Sequence, residues 1–218
     1  MSLNYEQLNK IPTDKFIVLE GLEGAGKSSA IKTIKDWFKK NRPQEMVTFT
    51  REPGGTFLAE KIRKLLITDF KEESLISESE LLLMYASRMQ HVYHLIIPEL
   101  RKGNWVVSDR FFWSSFAYQG GGREISFERL KTIHHNLLND FKAGLSIFLD
   151  IPPEIGLKRI QSRENDRIEK EKLSFFVRAR EIFTTLSNND QNSVLIDASQ
   201  SFKKVQNDII SVLNKKLM

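Results

Sequence analysis

Five short apolar runs alternate along the chain with stretches of helical periodicity. The runs that predict buried strands are residues 16–20, 46–50, 105–109, 146–150 and 193–197. Between them, apolar residues recur at spacings of three and four, as at Ala30, Ile31, Ile34 and Trp37, at Leu58, Ile62, Leu65 and Leu66, and at Phe175, Phe176, Ala179, Ile182, Phe183 and Leu186. Parallel strands need long crossover connections, so the alternation predicts an α/β fold with a five-stranded parallel sheet flanked by helices.

Two segments depart from this alternation. Residues 1–14 precede the first predicted strand, and we expect a loose N-terminal extension there, followed by a single domain over residues 15–218. Residues 159–172, RIQSRENDRIEKEK, are polar and crowded with charge, which predicts a mobile, solvated helical segment. In open parallel sheets ligands bind at the carboxyl ends of the strands, so the chemistry is expected in the loops that follow them.

Composition narrows the class of protein only slightly. The chain has no cysteine, which excludes disulfides and cysteine-based sites and suits a cytoplasmic location. No apolar run approaches the roughly 20 residues of a membrane span, so no membrane partner is expected. The net charge of +5 would suit nucleic acid and small polyanions such as nucleotides equally well. Lysines and arginines are interspersed with acidic residues and form no block, so we expect a mixed, solvated surface and no nucleic-acid partner.

The loop after the first predicted strand contains a complete phosphate-binding motif. GLEGAGKS matches G-x-x-x-x-G-K-[ST] at Gly21, Gly26, Lys27 and Ser28, between a predicted strand and a predicted helix. Glycines let backbone N–H groups turn toward phosphate oxygens, while the lysine reaches the β/γ-phosphates and the serine ligates Mg²⁺. The predicted nucleotide-binding residues are Gly21, Leu22, Glu23, Gly24, Ala25, Gly26, Lys27, Ser28 and Ser29.

The third predicted strand argues against hydrolysis. It ends in Asp109, where a carboxylate would meet the metal or its water shell, but Arg110 follows in place of a glutamate. The chain also lacks an N-K-x-D guanine-reading motif in a strand-end context. Transfer to an acceptor phosphate needs cations more than a base. Arginines are plentiful where ligands are expected, at Arg51, Arg88, Arg110, Arg159, Arg163 and Arg167.

Arg88 falls on a helical stripe that otherwise packs inward. Leu81, Tyr85 and Val92 share this stripe, which predicts a buried guanidinium. A buried arginine needs an anionic partner. Spacing alone leaves two partners open, a core carboxylate or an anionic ligand.

Four motifs taken together resemble the bacterial thymidylate kinases. They are FIVLEGLEGAGKSS, TREPGGT, SDRFFWSSFAYQGGGR and GLKRIQSRENDRIE, and the similarity extends from Lys15 to the C terminus. The resemblance implies the three-layer P-loop nucleoside monophosphate kinase fold, with a mobile LID at about residues 158–172. It also implies Mg²⁺-dependent transfer of the ATP γ-phosphoryl group to dTMP, giving ADP and dTDP for dTTP and DNA synthesis, and a homodimer.

The same resemblance implies roles for residues on the acceptor side. Arg51 and Arg110 would hold the acceptor phosphate, and Arg88 would reach the base or phosphate region. Ser115 and Gln119 would hydrogen-bond the thymine edge. Tyr118 would crowd the place of a ribose 2′-hydroxyl and so favour deoxyribose. Glu23 would meet the sugar 3′-hydroxyl or the metal.

The phosphate-binding loop carries no arginine, which resembles the class of relatives that supply transition-state charge from the LID. The implied catalytic residues are Lys27, Asp109, Arg159, Arg163 and Arg167, and the implied metal ligands are Ser28 and Asp109. Two positions depart from the family pattern. Phe112 replaces an acidic residue that many relatives carry, and Met84 stands where an aromatic ring often stacks on thymine, although a thioether also packs on a ring face.

Two other functions compete with this one. The first is another nucleoside or nucleotide kinase of the same fold that acts on a different pyrimidine acceptor, and the loop with Tyr118 and Gln119 argues against it. The second is a nucleotide-gated binding protein whose basic surface faces nucleic acid. The arginines expected to hold an acceptor phosphate argue against that function.

Overall fold

A five-stranded parallel sheet forms the centre of the computed structural model, which describes residues 8, 10–161 and 165–218. The strand order is β2-β3-β1-β4-β5, and every neighbouring pair is parallel. The predicted parallel sheet is confirmed, and each strand begins and ends within one residue of its predicted bounds. The strands are β1 (Phe16–Glu20), β2 (Val47–Arg51), β3 (Trp105–Asp109), β4 (Leu145–Asp150) and β5 (Ser193–Asp197).

Helices connect the strands and cover both faces of the sheet. Those within the described residues are α1 (Lys27–Asn41), α2 (Phe57–Ile67), α3 (Ser77–His91), α4 (Ile97–Arg101), α5 (Phe112–Ser115), α6 (Phe127–Leu138), α7 (Pro153–Ile160), α8 (Leu173–Asn189) and α9 (Phe202–Leu217). Two π-helical segments, Val92–Ile96 and Phe116–Gly122, continue α3 and α5. The apolar stripes predicted for α1, α2 and α8 lie on helices as expected.

Two hydrophobic cores lie on opposite faces of the sheet. Side chains of a strand alternate between its faces, so Ile17 and Leu19 of β1 enter one core and Phe16 and Val18 enter the other. The first core is covered by α1, α8 and α9, and the second by α3, α4 and α6. This arrangement is the predicted three-layer α/β fold.

The segment before β1 is packed where it is described. Leu8 and Ile11 expose only 1% and 8% of their surface and join the second core. The prediction of a loose extension is wrong at these positions, because burying two aliphatic side chains outweighs the entropy of a short free segment. The remaining positions of the extension that precede Lys10, namely 1–7 and 9, lie outside the described residues.

The charged segment before α8 is not helical where it is described. Helix α7 ends at Ile160, and residues 165–172 contain no helix but a turn at residues 167–170. The helix prediction is wrong over these residues. The Asp166 carboxylate accepts the backbone N–H groups of Ile168 and Glu169, at 2.9 Å each, and caps a single turn that does not continue as a helix. The segment's role as a LID stays a prediction.

The strand order places the functional loops at one edge of the sheet. Strand β1 lies between β3 and β4. The crossover from β1 leads to β2 on one side of it, and the crossover from β3 leads to β4 on the other side. Leu19 and Arg51 are both in register with Asp109, so three strand ends meet at this edge. No helix within the described residues is long and apolar enough to cross a membrane.

Candidate active site

A cleft of about 470 Å³ opens where β1, β2 and β3 end. Residues from both predicted binding regions line it together. From the phosphate-binding side these are Glu23, Gly24, Gly26, Lys27, Ser28, Ser29 and Arg159. From the other predicted set they are Arg51, Met84, Asp109, Arg110, Tyr118 and Gln119.

The phosphate-binding loop lies directly against α7. Gly24 has a φ of +73°, and a Cβ atom at this position would lie 2.1 Å from the carbonyl oxygen of Gly156. Only glycine tolerates both the left-handed backbone and this close approach. The contact fixes the loop between β1 and α1.

Lys27 is buried at the start of α1. Its Nζ donates to the carbonyl oxygens of Gly21 and Leu22, at 3.0 and 2.8 Å. Burial, together with the neighbouring Arg110 cation, lowers the pKa of Lys27 to about 8. Gly21 and Leu22 therefore hold the lysine through their carbonyls and do not line the cleft.

Arg110, Glu23 and Tyr118 form one hydrogen-bonded group in the cleft. Arg110 Nη2 and the Tyr118 hydroxyl each donate to one oxygen of the Glu23 carboxylate, both at 2.7 Å. The guanidinium also donates to the Gly21 carbonyl at 2.8 Å and lies 5.1 Å from the Tyr118 ring centroid. Burial disfavours the cation, but nearby acidic groups outweigh it and raise the pKa of Arg110 above its usual value. Arg110 is thus a permanent, fixed cation.

The backbone of Arg110 is strained, and Glu20 holds the turn that follows. Arg110 has a φ of 73°, an uncommon conformation for a residue with a side chain. The buried Glu20 carboxylate accepts the Phe111 N–H at 2.9 Å and the Ser114 hydroxyl at 2.7 Å. Burial raises the pKa of Glu20 to about 7, against the opposing effects of Ser114 and Arg110. Glu20 is not among the predicted site residues, because a charged residue at the end of a strand usually faces solvent.

Arg88 is buried, as its helical stripe predicted, and its anionic partner is Glu52. The Nε–Oε2 distance is 2.7 Å, and Nη2 donates to Ser115 Oγ at 3.0 Å and to the Phe111 carbonyl at 3.2 Å. Arg88 and Ser115 therefore lie behind the cleft lining, while Glu52 reaches it. Nη1 of Arg88 is buried without a partner in the described part of the chain.

Gln119 is fully buried and lines the cleft. Its Nε2 donates to Oε1 of Glu80 at 2.7 Å, whereas its own Oε1 has no partner among the described residues. Met84 lines the cleft one helical turn beyond Glu80 on α3. Gln119 and Met84 thus line the same space.

The three predicted LID arginines have different surroundings. Arg159 lines the cleft, and its Nη1 donates to the carbonyls of Gly24 and Ala198 at 3.2 and 3.0 Å. Arg167 pairs with Glu80 at 2.7 Å and does not line the cleft. Arg163 lies outside the described residues.

This fold and this cleft agree with one known family. The family model for thymidylate kinase matches residues 19–209. The chain belongs to the thymidylate kinase family. It is 46% identical over 202 residues to the thymidylate kinase of Francisella tularensis subsp. tularensis, an alignment that covers 92% of this chain and 96% of that protein. It is 49% identical over 203 residues to the thymidylate kinase of Vibrio parahaemolyticus, with 93% and 96% covered.

For a member of the thymidylate kinase family, the donor atoms here suit Mg²⁺. Oδ1 of Asp109 is buried without a partner in the described ranges, and Ser28 lines the same cleft. The described residues contain no group of three or more His, Cys, Asp or Glu side chains that would hold a metal alone. Mg²⁺ is commonly bound by one or two protein oxygens together with substrate phosphates and water, so these two ligands fit it.

Further residues of this thymidylate kinase family member line the cleft but were not predicted. Arg63 of α2 donates to the Pro53 carbonyl at 3.0 Å. Arg63 lies three and four residues before Leu66 and Ile67, which also line the cleft, so helical periodicity places all three on one face of α2. This spacing is the sequence signal that could have indicated Arg63. The others are Glu52, Pro53, Ser114, Ile160, Asp166, Ile168 and Glu169.

A second cavity, of about 300 Å³, adjoins the phosphate-binding loop. It shares Gly24, Gly26, Ser29 and Arg159 with the cleft and continues to Ala25 and to Ala198, Gln200, Phe202, Val205 and Gln206. The segment after β5 thus borders the phosphate-binding loop. Sequence periodicity gave no signal for it, because these residues are brought to the loop only by the sheet order.

Proposed function

We propose that this protein transfers the γ-phosphoryl group of ATP to dTMP, giving ADP and dTDP, with Mg²⁺ as cofactor. The observation that carries the proposal is the single cleft, which is lined by the loop lysine Lys27 and also by Arg110, Tyr118 and Gln119. A kinase needs its donor and acceptor phosphates side by side in a shared space. The membership of the thymidylate kinase family supports dTMP as the acceptor, and dTTP synthesis as the use of its product.

The donor nucleotide binds along the loop of residues 21–29. Its phosphate oxygens accept hydrogen bonds from backbone N–H groups at the start of α1. The Lys27 ammonium group moves from the loop carbonyls to these oxygens. The donor base occupies the second cavity, between Arg159 and the residues after β5. Ser28 and Asp109 hold Mg²⁺, which neutralises phosphate charge when it is bound.

The acceptor binds on the other side of the same cleft. Arg51 and Arg110 hold its phosphate, and the thioether of Met84 packs on its base. Gln119 reads the base edge, while Tyr118 and Glu23 contact the sugar. Arg88 and Ser115 hold the wall behind it through Glu52 and Phe111.

Charge in the transition state is stabilised by fixed cations. Lys27, Arg110 and Arg159 already line the cleft, and their donors replace water around the transferring phosphoryl group. Arg163 and Arg167 stay predicted contributors, brought in by the LID. An acceptor phosphate that attacks through its own oxygen needs no strong base, which agrees with Arg110 following Asp109.

The proposed assembly is a homodimer formed through α2 and α3. These helices pack on each other and expose large apolar side chains, including Phe57 at 82% and Leu82 at 60%. Such side chains on neighbouring helices are typical of a surface that a partner covers. Replacing Phe57 and Leu82 by glutamate should halve the mass measured by light scattering. An unchanged mass would contradict this interface.

We expect the protein to act in the cytoplasm, on free nucleotides.

The test of the proposed reaction is an acceptor panel. ADP formation is measured with ATP and Mg²⁺ in the presence of dTMP, dUMP, dCMP or AMP, and without an acceptor. We expect dTMP to give the highest kcat/KM and the control without acceptor to give almost no ADP. Dominant turnover without acceptor would refute the proposal, and salt-sensitive DNA binding with no effect of dTMP would favour a nucleic-acid-binding protein.

A further inference from the structure

Glu80 is a fully buried carboxylate on α3 that lies outside the cleft lining. It accepts the Gln119 amide through Oε1 at 2.7 Å. Its Oε2 pairs with Arg123 Nη2 at 3.1 Å and with Arg167 Nη2 at 2.7 Å. Nothing in the proposed reaction uses this residue directly, yet it contacts three parts of the chain that surround the acceptor side.

The charge state of Glu80 determines how Gln119 is oriented. Burial disfavours the carboxylate, but Arg123, Gln119 and Arg167 outweigh burial and lower the pKa of Glu80 below its usual value. An ionised carboxylate only accepts hydrogen bonds. Rotating the Gln119 amide by 180° would bring its Oε1 against a negatively charged oxygen, so Nε2 must face Glu80.

This orientation leaves Oε1 as the free polar atom of a side chain that lines the cleft. Gln119 is fully buried, and Oε1 has no partner among the described residues. A buried acceptor without a donor costs free energy, which a ligand N–H recovers on binding. The site therefore offers an acceptor, and not a donor, at this position.

We propose that Glu80 is a positioning residue that fixes the Gln119 amide, so that the cleft selects acceptor bases with a ring N–H over bases with a ring acceptor. The inference rests on the proposed function. Thymine and uracil carry a hydrogen on N3, whereas N3 of cytosine is an acceptor and would face the lone pairs of Oε1. A site built around one hydrogen bond discriminates strongly because the wrong ligand leaves buried groups unpaired.

The same carboxylate anchors the turn segment of residues 165–172. Arg167 donates its Nε to the Leu66 carbonyl at 3.0 Å while its Nη2 pairs with Glu80. Arg123 joins Glu80 to Glu171 of the same segment. Base selection and the placement of this segment thus share one buried anion.

The test compares Glu80→Gln with Glu78→Gln. Glu80→Gln keeps the shape of the side chain but replaces a carboxylate oxygen by an amide N–H donor. The Gln119 amide can then also bind in the flipped orientation, with its Oε1 facing residue 80. Glu78→Gln lies on the same helix at an exposed position, next to Arg129 at 3.6 Å, and serves as the matched control. Initial rates of ADP formation are measured for dTMP and dCMP, with the KM of ATP and the thermal midpoint of each variant.

We expect Glu80→Gln to raise the KM of dTMP about tenfold and to reduce the dTMP/dCMP ratio of kcat/KM at least about tenfold, with the KM of ATP unchanged. Glu78→Gln should match the wild type in all three. An unchanged ratio in Glu80→Gln would overturn the inference, as would equal rises in the KM of dTMP and ATP, which indicate a merely structural role.

A second variant keeps the test decisive where Glu80→Gln does not fold. Glu80→Asp retains the charge for Arg123 and Arg167 but withdraws the oxygen from Gln119 by one methylene. The same loss of the dTMP/dCMP ratio is expected, and a wild-type ratio in a folded Glu80→Asp protein would overturn the inference. Failure of the proposed function is distinct, because wild-type protein would then form no ADP in response to dTMP.

Discussion

The donor and acceptor sides of the cleft are built in different ways. The phosphate-binding part of the donor side is mostly one continuous loop, residues 21–29, with Arg159 of α7 beside it. The acceptor side consists of side chains from separate elements, with Arg51 from β2, Met84 from α3, Arg110 from the turn after β3 and Gln119 from a π-helical segment.

The difference explains why the two sides respond differently to change. Backbone recognition depends on local geometry, so glycine positions and the one cation carry most of it. Side-chain recognition depends on partners that hold each group in place, such as Glu23 for Arg110 and Glu80 for Gln119. We therefore expect substitutions at only a few positions to abolish donor binding, whereas substitutions at many positions should weaken acceptor binding.

The largest effect is expected at the lysine of the donor side. Lys27→Met removes a cation that acts mainly in the transition state, so kcat should fall about 10³-fold while the Kd of dTMP changes by less than about threefold. Steady-state ADP formation and dTMP titration calorimetry measure the two quantities. Lys32→Met, at an exposed position of the same helix, is the control and should keep wild-type activity.

A smaller effect, confined to the acceptor, is expected at Arg110. The Arg110 guanidinium donates from two nitrogens, Nη1 to the Gly21 carbonyl and Ser114, and Nη2 to Glu23. The single nitrogen of an Arg110→Lys side chain cannot reproduce this planar fork. We expect kcat/KM for dTMP to fall about 10²-fold and the KM of ATP to rise less than about threefold. Exposed Arg129→Lys should leave both unchanged. Equal rises in both KM values would mean that the two sides are not separable.

Gly24 tests whether the donor loop depends on close packing or only on backbone conformation. Gly24 and Gly103 have φ angles of +73° and +78°, but a Cβ atom meets the Gly156 carbonyl only at Gly24. Gly103→Ala should therefore lower the free energy of unfolding by about 1 kcal/mol and Gly24→Ala by about 3 kcal/mol. Urea denaturation measures both. Equal losses would show that the contact with α7 adds nothing.

The smallest effect expected is a difference in pH dependence. The buried Lys27 has its pKa lowered to about 8, and phosphates bind its protonated form. Above pH 8 the free protein must take up a proton on binding, so the affinity for ATP should fall about tenfold between pH 8.5 and 9.5. Arg110 has a raised pKa and stays charged, so dTMP affinity should not follow. Calorimetry with a non-hydrolysable ATP analogue measures this, and Lys27→Met should abolish the dependence.

Much of the fold and the donor side could be predicted from the sequence because both are encoded locally. A buried parallel strand is a short apolar run, and all five were found within one residue of their bounds. The loop motif requires glycines at fixed spacing, so Gly21, Gly26 and Lys27 are recognisable without any structure. The burial of Arg88 could likewise be predicted, because the helical stripe that contains it is a local pattern of apolar residues.

The partners on the acceptor side were not predictable in this way. Glu80 and Glu20 are charged residues in positions where charge usually signals solvent, and each is buried by contacts with residues that lie far along the chain. The packed Leu8 and the turn capped by Asp166 were missed because short segments carry no periodicity. Pairing of this kind follows from tertiary packing, which single-sequence patterns do not contain.

The order of the strands also determines how the chain must fold. Strand β1 is synthesised first, but its two sheet neighbours begin only at Trp105 and Leu145. Contacts between such distant segments slow folding, because the loops between them must close before any pairing stabilises the chain. During translation about ninety further residues must therefore be synthesised before a neighbouring strand can pair with either edge of FIVLE. In this interval the unpaired apolar strand makes the nascent chain most prone to aggregation.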